Sequence, residues 1–434
     1  MLRRAVVVSC FSILSVLAAG AGLGSVSLLQ AQFLEADVQV LYSLQPEAPG
    51  FYGFMASGIG DINGDGVSEF IIGAPRNAAG GVFAGRAYVY SGRDGALLNV
   101  VTGSTNNRLG FSVAGVGDVN KDGVPDYAAG GPGRFGLAPG ENGRVVVLSG
   151  KDHSVLYDLA ATPGSFFGYD INAAGDVNGD TYADLIVGAP LASQTATFAG
   201  RVFAISGRDG STLWLQDGQF EEGSLGTGVS GVGDLDGDGL AEQCVGAAGD
   251  PNHPSGIGQA YVLSGRDGSY QRILKPKNTA STFGHFYVHA SDDLNGDGVP
   301  DIYVADFLDS RLGPDTGRAY VFSGSSQDAG ILRIFNGEIS GDSFGAGRPV
   351  HDLNGDGAPD YIISANLSDA GAADGGKTYL VSGKTGKVLR TFTGTAAGLE
   401  VGFDALPLGD VNGDGRTDFL LTGINVAYVV AGTH

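Results

Sequence analysis

The chain has 434 residues, 75 of them glycine, with 43% hydrophobic residues and a formal net charge of −22. The glycine follows no three-residue period, which excludes collagen, and the apolar content excludes a wholly disordered chain. The charge argues against nucleic acid and anionic membrane surfaces as partners, and favours cations.

Arg3 and Arg4 precede an apolar run from Ala5 to Leu29, and no acid occurs before Glu35. A basic start, apolar middle and small-residue end form the pattern of an export signal. Residues 1–31 are therefore expected to be a signal peptide, cleaved near Ala21 or Ala31, and the protein to be secreted or held in the cell envelope. The run is long enough to span a bilayer, so an uncleaved anchor is the alternative, and only then is membrane attachment expected. Cys10 lies in this leader. Cys244, in the apolar run Cys244-Val245-Gly246, reads as a small buried residue, and no disulfide framework is expected.

Residues 32–434 read as one repeat-built domain. A nonapeptide with Asp at position 1, Asn or Asp at 3, Asp at 5, usually Gly at 6 and an acid at 9 begins at Asp61, Asp118, Asp176, Asp234, Asp293, Asp352 and Asp410, at spacings of 57, 58, 58, 59, 59 and 58 residues. A Gly with an aromatic neighbour comes before most copies, as in Gly53-Phe54, Gly110-Phe111, Phe167-Gly168, Phe283-Gly284, Phe344-Gly345 and Gly402-Phe403; the fourth has Leu225-Gly226. After each copy comes an apolar run such as Phe70-Ile71-Ile72-Gly73-Ala74-Pro75, then a Gly-rich loop, a third run such as Gly85 to Gly92, a turn such as Arg93-Asp94-Gly95 and a fourth run, Ala96 to Val101. Four short β-rich runs per unit, without helical periodicity, predict an all-β chain: a seven-bladed β-propeller of four-stranded blades. The seventh unit ends at its third run, Val426 to Gly432, and Val38 to Leu44 reads like its missing fourth. The N-terminal strand is thus expected to close the last blade and remove an open edge. A β-helix or open solenoid would need no displaced strand.

Alternating oxygen side chains in a tight loop point to one centre, and Gly at position 6 allows the bend. Oxygen donors without a soft ligand suit calcium, so up to seven calcium ions are expected, with a backbone carbonyl at position 7. The expected ligands are Asp61, Asn63, Asp65, Val67 and Glu69; Asp118, Asn120, Asp122, Val124 and Asp126; Asp176, Asn178, Asp180, Tyr182 and Asp184; Asp234, Asp236, Asp238, Leu240 and Glu242; Asp293, Asn295, Asp297, Val299 and Asp301; Asp352, Asn354, Asp356, Ala358 and Asp360; and Asp410, Asn412, Asp414, Arg416 and Asp418. These loops hold 22 carboxylates, a crowding of like charge that metal would relieve. Thr181 in place of Gly weakens the third copy, and Lys121 sits beside the ligands of the second. The plain alternative is a set of solvated Asp-Gly turns.

The series Phe-Gly, acidic loop, Gly-Ala-Pro resembles the FG-GAP repeat of the integrin α-subunit propeller over nearly all of the chain after the leader. The resemblance implies calcium on one face and ligand or partner contacts on the other. Integrin α propellers carry such loops in only some blades, whereas all seven copies stand here. The leg domains, membrane span and tail of an integrin are not seen, so a free-standing, monomeric propeller is expected.

The loops 76–84, 133–142, 191–199, 249–257, 307–316 and 367–375 are expected on the face opposite the acidic loops, where binding is commonly built. Only Ile424 and Asn425 stand there in the seventh blade, which suggests a notch. In blades five and six the Gly before the metal loop becomes Asp292 and His351; with His285, Tyr287, His289, Arg348, Asp306, Asp309 and Arg311 they suggest a sugar or acid–base site, or plain repeat drift. Arg86, Arg144, Arg201, Gln259, Arg318 and Lys377 share one repeat position and are expected to pair with acids of their own blades rather than form an anion ring. Phe83 and Phe198 share another, which suggests packing. No Gly-x-Ser-x-Gly, zinc or phosphate-loop motif is present, and no catalytic residue is singled out. The leading expectation is an extracellular calcium-binding adhesion or recognition module for a protein or glycan. The alternatives are a calcium-dependent, lyase-like enzyme acting on polysaccharide and a structural envelope or matrix component.

Overall fold

The computed structural model describes residues 32–134, 143–249, 258–276, 282–325 and 330–432. The expected signal peptide lies outside them. The 28 strands form seven four-stranded antiparallel sheets arranged as a seven-bladed β-propeller. Blade one shows the pattern: Ala56–Gly60, Glu69–Ala74, Arg86–Tyr90 and Leu97–Thr102 pair in that order. The first strands of neighbouring blades touch around the axis. Second and third strands are almost wholly buried, whereas fourth strands alternate and leave Leu97, Val155, Leu215 and Val388 exposed at the rim.

The ring closes as expected. Val40–Leu44 pairs antiparallel with Val426–Val430 and supplies the fourth strand of blade seven. Just before it, Phe33 packs edge-on against Phe392 and Tyr428. The Glu35 carboxylate accepts hydrogen bonds from the hydroxyls of Thr391 and Thr393, each at 2.7 Å. The N-terminal segment therefore ties blade six to blade seven before completing the latter.

Blades join through two repeated contacts. A Cβ on Gly73, Gly130, Gly188 or Gly246 would lie 1.9, 2.5, 2.1 or 1.8 Å from the carbonyl oxygen of Gly110, Gly168, Gly226 or Gly284 in the next blade, so only glycine fits there. At the opposite face, a fourth-strand side chain reaches the Ser-Gly turn of the next blade. Tyr157 donates to the Gly207 carbonyl at 2.7 Å, Trp214 Nε1 to that of Gly265 at 2.6 Å, and Tyr42 from the closing strand to that of Gly92. Cys244 is fully buried, and burial pushes its thiol up to about 12, so it is a packing residue.

Candidate functional site: two faces of the propeller

Each acidic loop joins the first and second strands of its blade, so all seven lie on one face. The chain folds them by a shared set of bonds, from which the second and sixth loops each depart at one position. In the first loop, Asp61 accepts from the Gly64 amide at 2.7 Å and the Gly66 amide at 2.8 Å, Asn63 Oδ1 from Asp65 N at 2.8 Å, and Asp65 Oδ1 from Val67 N at 2.9 Å. The acid at position 9 is completely buried in every blade: Glu69, Asp126, Asp184, Glu242, Asp301, Asp360 and Asp418. It ties its loop to the strand scaffold. Asp126, for example, accepts from Val119 N at 3.0 Å and from Gly150 N, in the turn after the third strand, at 2.9 Å. Burial pushes the carboxyls of Asp184 and Asp301 up to about 6.

The fourth loop shows that the donors suit a hard cation. Oxygen atoms of Asp234, Asp236 and Glu242 lie within 4.8 Å of one another. Glu242 Oε1 is buried and makes no hydrogen bond of ordinary geometry, with the Gly265 amide facing its carboxylate at longer range, and a cation there would offset its desolvation. Arg266 and Arg93 reach the position-5 acids of their own blades, Asp238 at 2.9 Å and Asp65 at 3.2 Å. The two irregular loops meet: Lys121 donates to the Thr181 hydroxyl and lies 4.0 Å from the centre of the Tyr182 ring. Thr181, a β-branched residue, is held at a φ of 70°, and Lys121 at 57°.

The residues singled out in blades five and six do not all gather into one site: Tyr287, His289 and Arg348 lie together near the axis, and the others lie apart. His285 bonds the Tyr169 hydroxyl at 2.9 Å, and burial pushes its imidazole down to about 3. Tyr287 donates to the Phe403 carbonyl at 2.9 Å. Arg348 pairs at 2.6 Å with buried Asp404, a residue the sequence reading passed over. Asp309 pairs with Arg311 at 2.6 Å and Arg318 at 3.4 Å, within blade five. His351 bonds the Thr417 hydroxyl at 2.8 Å, beside the acidic loops. Arg144 pairs with Asp158 and Arg201 with Asp217 inside their own blades, as expected, each at 2.7 Å, whereas Arg86 reaches Glu47 and Lys377 reaches Glu338, at 2.5 and 3.0 Å, in the links that precede their blades. The notch at blade seven is filled. Asn425 Oδ1 accepts from the amides of Gly50 and Tyr52, both at 3.3 Å, and Phe51 packs on Phe403.

On this opposite face, at the axis, lies a cavity of about 90 Å³ lined by Phe54, Phe111, Tyr169, Phe286, Ala346 and Phe403, among others. The sequence reading missed it, although a signal was present. Eight residues separate the repeat glycine from the metal-loop Asp in five blades (Gly53 to Asp61 in the first), against nine in blade five (Gly284 to Asp293) and seven in blade six (Gly345 to Asp352). The extra length in blade five lets Phe286, at a φ of 60°, stack on Tyr169 at 5.1 Å. The shorter blade six sets small Ala346 opposite.

Below this cavity Asp170 is buried, and burial pushes its carboxyl up to about 8. A raised acid favours folding fully below its unfolded pKa, near 3.8, and loses that contribution as pH rises through about 8. Asp170→Asn is therefore expected to melt above the parent at pH 8, with the gap closing toward pH 4, measured by thermal unfolding at fixed metal concentration.

Comparison with known proteins agrees with this geometry. The FG-GAP repeat matches residues 55–90 and 167–205. Integrin alpha-V of Gallus gallus is 31% identical over 217 residues, covering 46% of this chain and 20% of that protein. Integrin alpha-7 of Mus musculus is 36% identical over 154 residues, covering 32% and 12%. The aligned stretch spans about a fifth or less of the length of these relatives. Among solved structures, Saccharomyces cerevisiae Sqt1 matches at a TM-score of 0.53 with 12% identity, covering 91% of this chain and 99% of that one. BBS1N, solved in complex with ARL6DN, matches at 0.51 with 10% identity, covering 91% and 96%. These last two share the fold alone. The chain is a seven-bladed β-propeller that carries matches to the FG-GAP repeat in two places. More particularly, it is integrin α-like, similar to those subunits at 31% and 36% identity over the aligned stretches.

Proposed function

We propose that the protein is a secreted calcium-binding propeller that acts as an extracellular adhesion or ligand-recognition module. One observation carries the reading: seven acidic loops stand on one face of a closed ring, and the described long loops, 76–84, 191–199, 307–316 and 367–375, stand with the apolar cavity on the other, while most of 133–142 and 249–257 lies outside the described residues. The acidic face would hold up to seven calcium ions through side chains at positions 1, 3, 5 and 9 and the carbonyl at position 7. Bound calcium would neutralise crowded carboxylates and stiffen the turns. The opposite face would then present its loops on a rigid frame to a protein or glycan. The resemblance to integrin α subunits supports that division of labour.

Binding of the purified protein to an array of matrix proteins and glycans, in calcium and in EDTA, tests the reading. Calcium-dependent binding to a defined set is expected. Absence of binding to every spot would overturn it in favour of a structural role.

A further inference from the structure

The loop face gathers three arginines in an acidic chain. Arg76 lies between the second and third strands of blade one, Arg108 in the link from blade one to blade two, and Arg134 after the second strand of blade two. Antiparallel strand order puts all three at the same end as the cavity. Arg108 and Arg134 both lie over the Phe83 ring, 5.6 and 5.0 Å from its centre. Arg76 lies 5.1 Å from the centre of the Phe51 ring. Burial, with Arg76 and Arg134 beside it, pushes the Arg108 guanidinium down to about 10. The backbone of Arg108 is left-handed, at a φ of 57°, held by bonds of 2.9 Å to the Phe83 carbonyl and 3.1 Å from the Phe111 amide. The same left-handed backbone recurs at Phe51, Phe166, Ser224, Ser343 and Glu400, so the repeat itself holds Arg108 in this pose.

The charge and the cavity share a rim. Phe51, under Arg76, lines the cavity, and so does Phe111, three residues after Arg108. We propose that this rim binds an acidic protein segment, which inserts one apolar side chain into the cavity and lays its carboxylates on Arg76, Arg108 and Arg134. This deepens the recognition reading and rests on it. A guanidinium is suited to bidentate carboxylate pairing, and a ring stacked beneath it fixes its plane. A concave, aromatic-lined cavity favours a protruding side chain. A sugar ring there would bury hydroxyls against phenyl groups, with Ser343 and Asn366 as the side-chain polar partners in the lining, which is costly.

The test uses fluorescein-labelled peptides and the full chain in calcium, read by fluorescence anisotropy. The probes are Asp-Asp-Phe-Asp-Asp, Asp-Asp-Ala-Asp-Asp and Lys-Lys-Phe-Lys-Lys. The first is expected to bind, the second at least about tenfold more weakly and the third not at all. Arg134→Glu, on an exposed side chain, and Arg76→Glu are each expected to weaken the first peptide at least about tenfold while melting as the parent does. Equal binding of acidic and basic peptides, no binding of any, or parental affinity in both variants would overturn the assignment. Array binding retained by Arg134→Glu would overturn this assignment alone. An array blank for the parent would overturn the recognition reading beneath it.

Discussion

Chelating calcium is expected to lower the melting temperature of the protein by about 10 °C or more. Each loop crowds three side-chain oxygen groups near a completely buried acid, and Glu242 Oε1 makes no hydrogen bond of ordinary geometry. An ion present at ten times its dissociation constant adds about 1.4 kcal/mol per site. Summed over seven occupied sites, that would stand in for the disulfides an extracellular domain often uses, and Cys244 is a buried free thiol. Differential scanning calorimetry in 2 mM calcium (roughly the extracellular range for such modules) and in EDTA reads the effect. Magnesium is expected to restore little of it, because it is smaller and holds its waters. A melt unchanged by EDTA would remove calcium from the account of stability.

Deleting residues 32–44 from a chain that starts at residue 32 is expected to abolish cooperative folding or drive the protein to aggregate. The deletion removes the fourth strand of blade seven and bares the edge of Val426–Val430. It also removes Phe33 from between Phe392 and Tyr428, and Glu35 from Thr391 and Thr393. Phe33→Ala is the milder companion, expected to cost about 3–5 kcal/mol for loss of a buried ring and to leave the chain foldable. A synthetic peptide of residues 32–45 added to the deleted chain is expected to restore a single unfolding transition. A deleted chain that melts like the parent, with the elution volume of a monomer, would show that the ring holds without its closure.

The blades and their closure were legible in the sequence because each depends on short-range pattern. The seven acidic loops recur at near-constant spacing, and Val38 to Leu44 carried the alternation of a strand with no partner nearby. The pairing of Arg144 with Asp158 and Arg201 with Asp217 followed from their places on adjacent strands of one blade. What was missed depends on groups brought together around the axis. Asp404 meets Arg348 from a different blade, and Asp170 is buried by the closing of the whole ring. Arg76, Arg108 and Arg134 come from three connections in two blades, and no local motif announces their meeting. The cavity rests on a one-residue gain in blade five and a one-residue loss in blade six, changes that read as drift until Phe286 and Ala346 face the same space. The notch expected at blade seven vanished for a similar reason. Asn425 draws in residues 50–52, which lie far from it in sequence.

Equilibrium dialysis of the metal-stripped protein against radioactive calcium, with and without Asp→Asn changes at Asp234 and Asp236, tests the metal face most directly. Several ions per chain are expected, up to seven, with one lost in the doubly substituted protein. No binding at millimolar calcium, or the same count in both proteins, would contradict the account.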